Sequence, residues 1–297
     1  MHMAEKEYVI ITDSTCDLTP ELIEELDIVV IPMEFTMAEG EVYKNYPDGR
    51  ELGFQAFYDR VRGGAQPKTN QINAATYMEV AAPYLDKGQD VLILAFSSAL
   101  SGTYQSSVLA VEELREKYPD RQIYTVDTLS ASMGEGLLIY HAAKKREEGL
   151  SVSELAHWVE ENRLRLCHWF TVDDLNHLKR GGRVSSAAAL FGTILGIKPV
   201  LHVDDAGRLI PREKVRGRRS SLEALAKHMR ETIDPAEGEQ TIFISHGDCE
   251  QDVKYLIDLI REQVPVKEIK VGYIGPVIGA HSGPGTVAVF YLGTTRN

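Results

Sequence analysis

Hydroxyl-bearing side chains crowd one short stretch of the chain, Ser97-Ser98-Ala99-Leu100-Ser101-Gly102-Thr103-Tyr104. The apolar run Val91 to Phe96 precedes it, and Val108, Leu109, Val111 and Leu114 follow at helical spacing, which predicts a strand, a polar turn and a helix. In an open α/β sheet, ligands bind at the carboxyl ends of the strands, and the first turn of the next helix offers unpaired N–H groups and a positive partial charge. Hydroxyls and bare amides there suit an anionic oxygen group. The same turn would also suit a nucleophile: Ser101, with His281 as base and Asp13 or Asp127 to orient it, would make a serine hydrolase acting on acyl substrates. Against that chemistry, Ala99-Leu100-Ser101-Gly102-Thr103 lacks the first glycine of the G-x-S-x-G elbow that exposes a nucleophile.

His281 falls in Gly279-Ala280-His281-Ser282-Gly283-Pro284-Gly285, read as a glycine-rich loop that lets the backbone come close to a ligand. The remaining histidines show no metal-ligand spacing, and Cys16, Cys167 and Cys249 form no CxxC pair. Neither a metal nor a cofactor is expected. The chain has no G-x-x-x-x-G-K-[ST] and no G-x-G-x-x-G after a strand, which argues against a kinase in its own right.

The elements that must position these groups alternate. Tyr8 to Thr12 predicts a strand ending in Asp13-Ser14-Thr15-Cys16-Asp17, Thr19-Pro20 a helix start, and Ile28 to Phe35 a second strand. Phe54 to Val61 has helical spacing, Lys68-Thr69-Asn70-Gln71 is read as a loop, and Asn73 caps the helix from Ala74. Gln122 to Asp127 is a strand, Met133 to Glu148 a long amphipathic helix, and Ser151-Val152-Ser153-Glu154 a capping box. Such alternation implies right-handed βαβ units on a parallel sheet. After Leu166 the rhythm changes: Ile197 to Val203 and Leu209 to Val215 read as a hairpin, and the later strands and helices imply a mixed sheet. The expectation is therefore an α/β protein of two domains, a parallel-sheet domain over 1–165 and a mixed-sheet domain over 166–297, with the ligand between them.

The 297 residues carry a formal net charge of −12, which weighs against nucleic acid as a partner because phosphate binding needs a broad basic surface. Three widely spaced cysteines suit a reducing compartment, no apolar run reaches membrane-spanning length, and no signal peptide opens the chain, so a cytoplasmic protein is expected.

Taken in order, Asp13-Ser14-Thr15-Cys16-Asp17-Leu18, Lys68-Thr69-Asn70-Gln71, Ser97 through Tyr104, Leu178-Lys179-Arg180-Gly181-Gly182-Arg183, Lys198-Pro199 and His281-Ser282-Gly283-Pro284-Gly285 resemble the motifs of the DegV family of bacterial fatty-acid-binding proteins. Asn70 departs from the Ser or Thr expected there. The resemblance runs almost end to end and implies one long-chain fatty acid, such as palmitate, stearate or oleate, held between the domains. It further implies a carboxylate on hydroxyls matching Thr69 and Ser101, with His281 as the pocket histidine; Ser14 and Gly102 complete the candidate ligand-binding set. A hydroxyl donating to a carboxylate is stronger than a neutral pair. By the same resemblance the protein is a lipid carrier, not an enzyme. It presents the carboxyl group to the catalytic subunit of a fatty acid kinase for phosphorylation to an acyl-phosphate, with transient membrane contact.

Two further stretches fit that expectation. Ala187 to Phe191 and Thr193 to Ile197 are apolar on more than one helical face and rich in small residues, which suits an acyl-chain slot. Arg208, Arg212, Lys214, Arg216, Arg218 and Arg219 crowd a short segment of an acidic protein, with Lys179-Arg180-Gly181-Gly182-Arg183 before it. That contrast predicts a docking surface for the kinase partner or the phosphate, with Arg183 and Arg216 as its candidate residues.

Overall fold

The computed structural model describes residues 7–185 and 196–296. The proposed acyl-slot segments, Ala187 to Phe191 and Thr193 to Leu195, lie outside the described residues.

Strands β1 (Tyr8–Asp13), β2 (Val29–Ile31), β6 (Asp90–Ala95) and β7 (Ile123–Asp127) form an all-parallel sheet in the order β2-β1-β6-β7. Both faces are covered, which is why these strands are continuous apolar runs. Along β1 and β6, Ile10, Leu92 and Leu94 point to one side, while Val9, Ile11, Val91 and Ile93 point to the other, under helices α3 (Ala74–Asp86) and α4 (Thr103–Lys117).

A second, mixed sheet is built from β8 (Leu166–Thr171), β9 (Ile197–Val203), β10 (Leu209–Arg216), β11 (Gln240–His246), β12 (Val266–Tyr273) and β13 (Val287–Leu292), in the order β10-β9-β8-β13-β11-β12. Only β11 and β12 pair in parallel. Its outer face packs under α8 (Arg218–Thr232) and α9 (Glu250–Gln263) through Trp169, Ile242, Ile244 and Val289. The fold is thus α/β, with a parallel sheet and a mixed sheet.

Helix α5 (Met133–Glu147) lies between the two sheets, not on a surface. It was expected to be amphipathic, yet Met133, Gly134, Leu137, Leu138, Ile139, Ala142 and Ala143 are all buried. One core contains Ile10 and Leu94 of the parallel sheet, Leu137 and Ile139 of α5, and Phe170, Phe243 and Phe290 of the mixed sheet. Gly134 permits the closest approach: a Cβ there would run into the His168 ring and Phe290. Near the chain end, Arg296 is buried and donates to the carbonyls of Leu166 (3.0 Å), Leu129 (2.8 Å) and Asp204 (3.3 Å), tying loops of both halves together.

Three local expectations are corrected. Ile28 to Phe35 is not one strand: Pro32, which has no N–H to give a ladder, separates β2 from β3 (Glu34–Thr36). Strand β3 joins β4 (Val42–Lys44) and β5 (Lys68–Thr69) in a small antiparallel sheet, so Thr69 stands in a strand opposite Phe35 and not in a loop. The glycine-rich stretch around His281 begins as a helix, α10 (Pro276–Ser282). Pro276 pre-sets its first residue, and burial of Val277 and Ala280 outweighs the roughly 1 kcal/mol that Gly279 costs a helix. The remaining helices are α1 (Pro20–Leu26), α2 (Phe54–Arg62), α6 (Val152–Asn162) and α7 (Asn176–Arg180). No helix among the described residues is long and apolar enough to cross a membrane.

Candidate functional site: an apolar cavity with a polar end

A cavity between the sheets is walled by both halves of the chain. Phe96, Leu100 and Ala131 come from the loops after β6 and β7, while Phe170, Val203, Leu209, Ile278, Ala288 and Phe290 come from the mixed sheet and α10. With its open mouth included, the space free of protein atoms is about 970 Å³. The walls are mainly apolar; among the polar residues that line it, Thr69 and His281 are in contact, Gly102 packs on Gln71, and Arg183 bonds the Leu100 carbonyl beside Ser101.

Each polar residue is placed by a different element. Strand pairing holds Thr69, and its Oγ1 lies 2.9 Å from His281 Nε2 at the end of α10. Ser101 lies just before α4, where its Oγ accepts from the Thr103 N–H (3.2 Å) and lies 2.9 Å from Thr103 Oγ1. That hydroxyl therefore holds the first N–H of the helix while its residue lines the cavity, beside a helix N-terminus that favours negative charge. Gly102 packs under the Gln71 amide, which a Cβ at 102 would displace.

Burial, with the Arg183 charge beside it, lowers the His281 pKa to about 4, so the imidazole is neutral near pH 7. Its Nδ1 side packs so tightly on Gly181 that a Cβ at 181 would strike it, which explains why the Lys179-Arg180-Gly181 turn needs a glycine there. Arg183 itself is half-buried on the cavity wall. Its Nε donates to the Leu100 carbonyl (3.2 Å) and its Nη1 to the Gly181 carbonyl. Expected on an outer docking surface, Arg183 instead places a cation at the polar end, next to Ser101.

Ser14 is not among the residues that line this cavity. Its hydroxyl accepts from the Met33 N–H at 3.0 Å, and so fixes a cavity residue from behind. Arg216 lies exposed at the end of β10. Arg218, also assigned to the basic segment, is partly buried and paired with Asp252 at 2.9 Å, so it is committed to packing. Gln71, Ser282 and Thr286 line the cavity without having been singled out from the sequence, and Ser282 Oγ has no partner among the described residues. For Ser282 the signal was present, one position from His281, but a serine beside a glycine reads as a turn.

The hydrolase arrangement is not assembled. Among the described residues no hydrogen bond joins Ser101 to His281, and no carboxylate is bonded to the His281 ring. Asp127 Oδ1 accepts from the Ser98 and Leu129 N–H groups, and Asp13 from Thr15 and Phe96. Both carboxylates shape loops. Among the described residues no group of three or more His, Cys, Asp or Glu is placed to hold a metal ion.

A polar seam crosses beside the cavity. Ser132 Oγ donates to Asp17 Oδ2 (2.6 Å) and lies 2.9 Å from Ser245 Oγ of β11, while Asp17 Oδ1 accepts from the Gly275 N–H at 2.9 Å. These bonds hold Ser132 at φ 54° and ψ −150°, a backbone region that side chains other than glycine rarely adopt.

The model of a family described as an uncharacterised protein, DegV family, matches residues 7–294. A DegV domain-containing protein of Clostridium perfringens is 49% identical, covering 98% of this chain and 99% of its own length. Among solved structures, a DegV lipid-binding protein of Thermotoga maritima has a TM-score of 0.85 at 33% identity, covering 98% of this chain and 100% of its own. A DegV family protein of Thermus thermophilus, described by its fatty acid binding, has a TM-score of 0.85 at 32% identity, covering 97% and 99%. With a match across nearly its whole length, the chain belongs to the DegV family.

Proposed function

We propose that the cavity holds one long-chain fatty acid and that the protein presents its carboxyl group to a separate kinase subunit. The observation that carries this reading is an apolar cavity whose one polar end gathers Thr69, Ser101, His281 and Arg183. Each buried methylene is worth roughly 0.8 kcal/mol, so the tail supplies most of the affinity and the polar end sets orientation. The Thr69 and Ser101 hydroxyls donate to the carboxylate, the Arg183 guanidinium neutralises it, and His281 orients Thr69. The lipid and fatty acid binding of the Thermotoga and Thermus proteins supports the choice of ligand.

Presentation to a partner is supported by a second recess beside the polar end. Gln66, Lys68, His177 and Arg180 line it, and it shares Thr69, Arg183 and His281 with the cavity. A carboxylate between Thr69 and Arg183 is thus approached from a basic opening, while Arg216 on the hairpin serves the docking of the kinase. Mass spectrometry of an organic extract of the purified protein tests the ligand. Recovery of a stoichiometric fatty acid is expected, and a protein that neither carries nor takes up any fatty acid would end the proposal.

A further inference from the structure

Helix α5 carries into the core an ionisable side chain that the fatty acid reading leaves unused. Glu135 is fully buried against Thr12 of β1 and Thr15 of the turn that follows it. Thr12 Oγ1 donates to Glu135 Oε1 at 3.2 Å, and Thr15 Oγ1 lies 2.9 Å from Oε2. The same Thr15 hydroxyl also touches Oδ1 of Asp13, which is likewise fully buried. A hydroxyl has one proton, and this one faces two carboxyl oxygens. It can donate to only one of them, so the other carboxyl must itself be the donor and therefore protonated. Among the described residues no lysine or arginine acts on either carboxyl, and two buried carboxylates side by side without a cation would cost far more than one neutral acid.

The backbone decides which carboxyl keeps the proton. Asp13 Oδ1 accepts the Thr15 N–H at 3.0 Å, and Oδ2 accepts the Phe96 N–H at 3.2 Å. Both oxygens of Asp13 already face donors, which suits a carboxylate. Glu135 has only the two threonine hydroxyls, so it donates to Thr15 Oγ1, and Thr15 passes its own proton to Asp13. The other titratable groups near the pair, Cys16, Asp17 and Tyr77 of α3, bring no positive charge. Burial, and after it the Asp13 charge, push the Glu135 pKa well above the usual carboxylate range. Burial pushes Asp13 up as well, but the bonds from Thr15 and Phe96 oppose that rise.

The Asp13 charge has a place in the site. Phe96, which it holds, lines the cavity and is the first residue after β6; in the next residue, the Ser97 carbonyl accepts from the N–H groups of Leu100 (3.0 Å) and Ser101 (3.2 Å). We propose that Asp13 and Glu135 hold a single proton between them, on Glu135, and that Glu135 is thereby a positioning residue for the fatty acid site. By staying neutral it keeps Asp13 as the anion that anchors Phe96 and the turn carrying Ser101. The inference rests on the reading that the cavity holds a fatty acid.

Two isosteric amides test this, since each removes the charge of one carboxyl and keeps its shape. Delipidated wild type, Glu135→Gln and Asp13→Asn are titrated with stearate at pH 7, and their infrared spectra are compared in the carboxyl region. Glutamine reproduces a neutral acid here, accepting from Thr12 and donating to Thr15, so Glu135→Gln should fold and retain most of the stearate affinity. Asparagine cannot reproduce a carboxylate that accepts on both oxygens, because its amide N–H must face the N–H of Phe96 or of Thr15. Asp13→Asn should therefore bind stearate about tenfold more weakly, the cost of one unsatisfied buried donor. The difference spectrum between wild type and Glu135→Gln should show the loss of a protonated carboxylic acid, not of a carboxylate. Loss of a carboxylate, a Glu135→Gln protein that does not fold, or equal stearate affinity in the two variants each overturns the inference and leaves the fatty acid reading standing. A wild type that binds no stearate overturns the positioning role together with that reading. Should Asp13→Asn fail to fold, Thr15→Val, which keeps both carboxyls but breaks the link between them, takes its place with the same expected loss.

Discussion

Thr69 Oγ1 and His281 Nε2 lie 2.9 Å apart although 212 positions of sequence separate them. One is held by a two-residue strand and the other by the last turn of a seven-residue helix. Their contact joins the two halves of the chain at the polar end of the cavity.

Removing either proposed carboxylate donor tests the head-group assignment directly. Thr69→Val and Ser101→Ala should each weaken fatty acid binding by about 1.5–3 kcal/mol, the worth of a hydrogen bond to a charged group. Displacement of a fluorescent fatty acid measures this, with circular dichroism to confirm the fold. Unchanged affinity in both variants would remove these hydroxyls from the site.

Arg183 and Arg216 should separate cleanly. Arg183→Gln should lose fatty acid retention, since the side chain is on the cavity wall, and should let the His281 pKa rise from about 4 because a neighbouring positive charge is gone. Histidine NMR titration reads that shift. If the proposed presentation to a kinase subunit holds, Arg216→Glu should keep the lipid and lower phosphorylation of the bound acid by that kinase, most strongly at low salt. A variant that releases its lipid would place Arg216 in the cavity instead.

Gly134→Ala pits two effects against each other. Alanine favours a helix over glycine by about 1 kcal/mol, whereas a Cβ at this position would collide with the His168 ring and Phe290, and overpacking of a core costs roughly 1–3 kcal/mol. The collision should win, giving a net loss of up to about 2 kcal/mol in urea unfolding. Stabilisation would mean that His168 moves freely out of the way.

Asp17 predicts a pH dependence. Burial raises its pKa to about 8 in spite of its bonds from Ser132 and Gly275, with Asp13 adding to the rise. In the unfolded chain an aspartate titrates near pH 3.9, so the folded protein keeps a proton that the unfolded chain releases between about pH 4 and 8. The stability tied to this proton is fully present below pH 4 and is lost as the pH climbs to about 8. Asp17→Asn removes the ionisation while still accepting from Gly275 and offering an N–H to Ser132. Its stability relative to wild type should therefore improve steadily between pH 5 and pH 8.5. Parallel stability profiles for the two proteins would show that Asp17 ionises without penalty.

Strand and helix order was largely legible because burial on both faces demands apolar runs, and helices announce their ends: Thr19-Pro20, Asn73 and Ser151 cap where expected. Ser101 was legible as well, since a hydroxyl between a buried strand and a helix has a local explanation. Other features depended on what packs against what. The α10 stretch carries Gly279 and is flanked by Gly275 and Gly283, and only contact with Tyr58 and the burial of Val277 make it a helix. Helix α5 looked amphipathic because its polar residues suggested a wet face, whereas Glu135 is buried and bonded by Thr12 and Thr15. Arg183 belonged by sequence to a basic run, and only its hydrogen bond to the Leu100 carbonyl turned its charge toward the cavity. Local chemistry is written in neighbouring residues; the proximity of Thr69 to His281 and the inward charge come from the closure of two sheets on one helix.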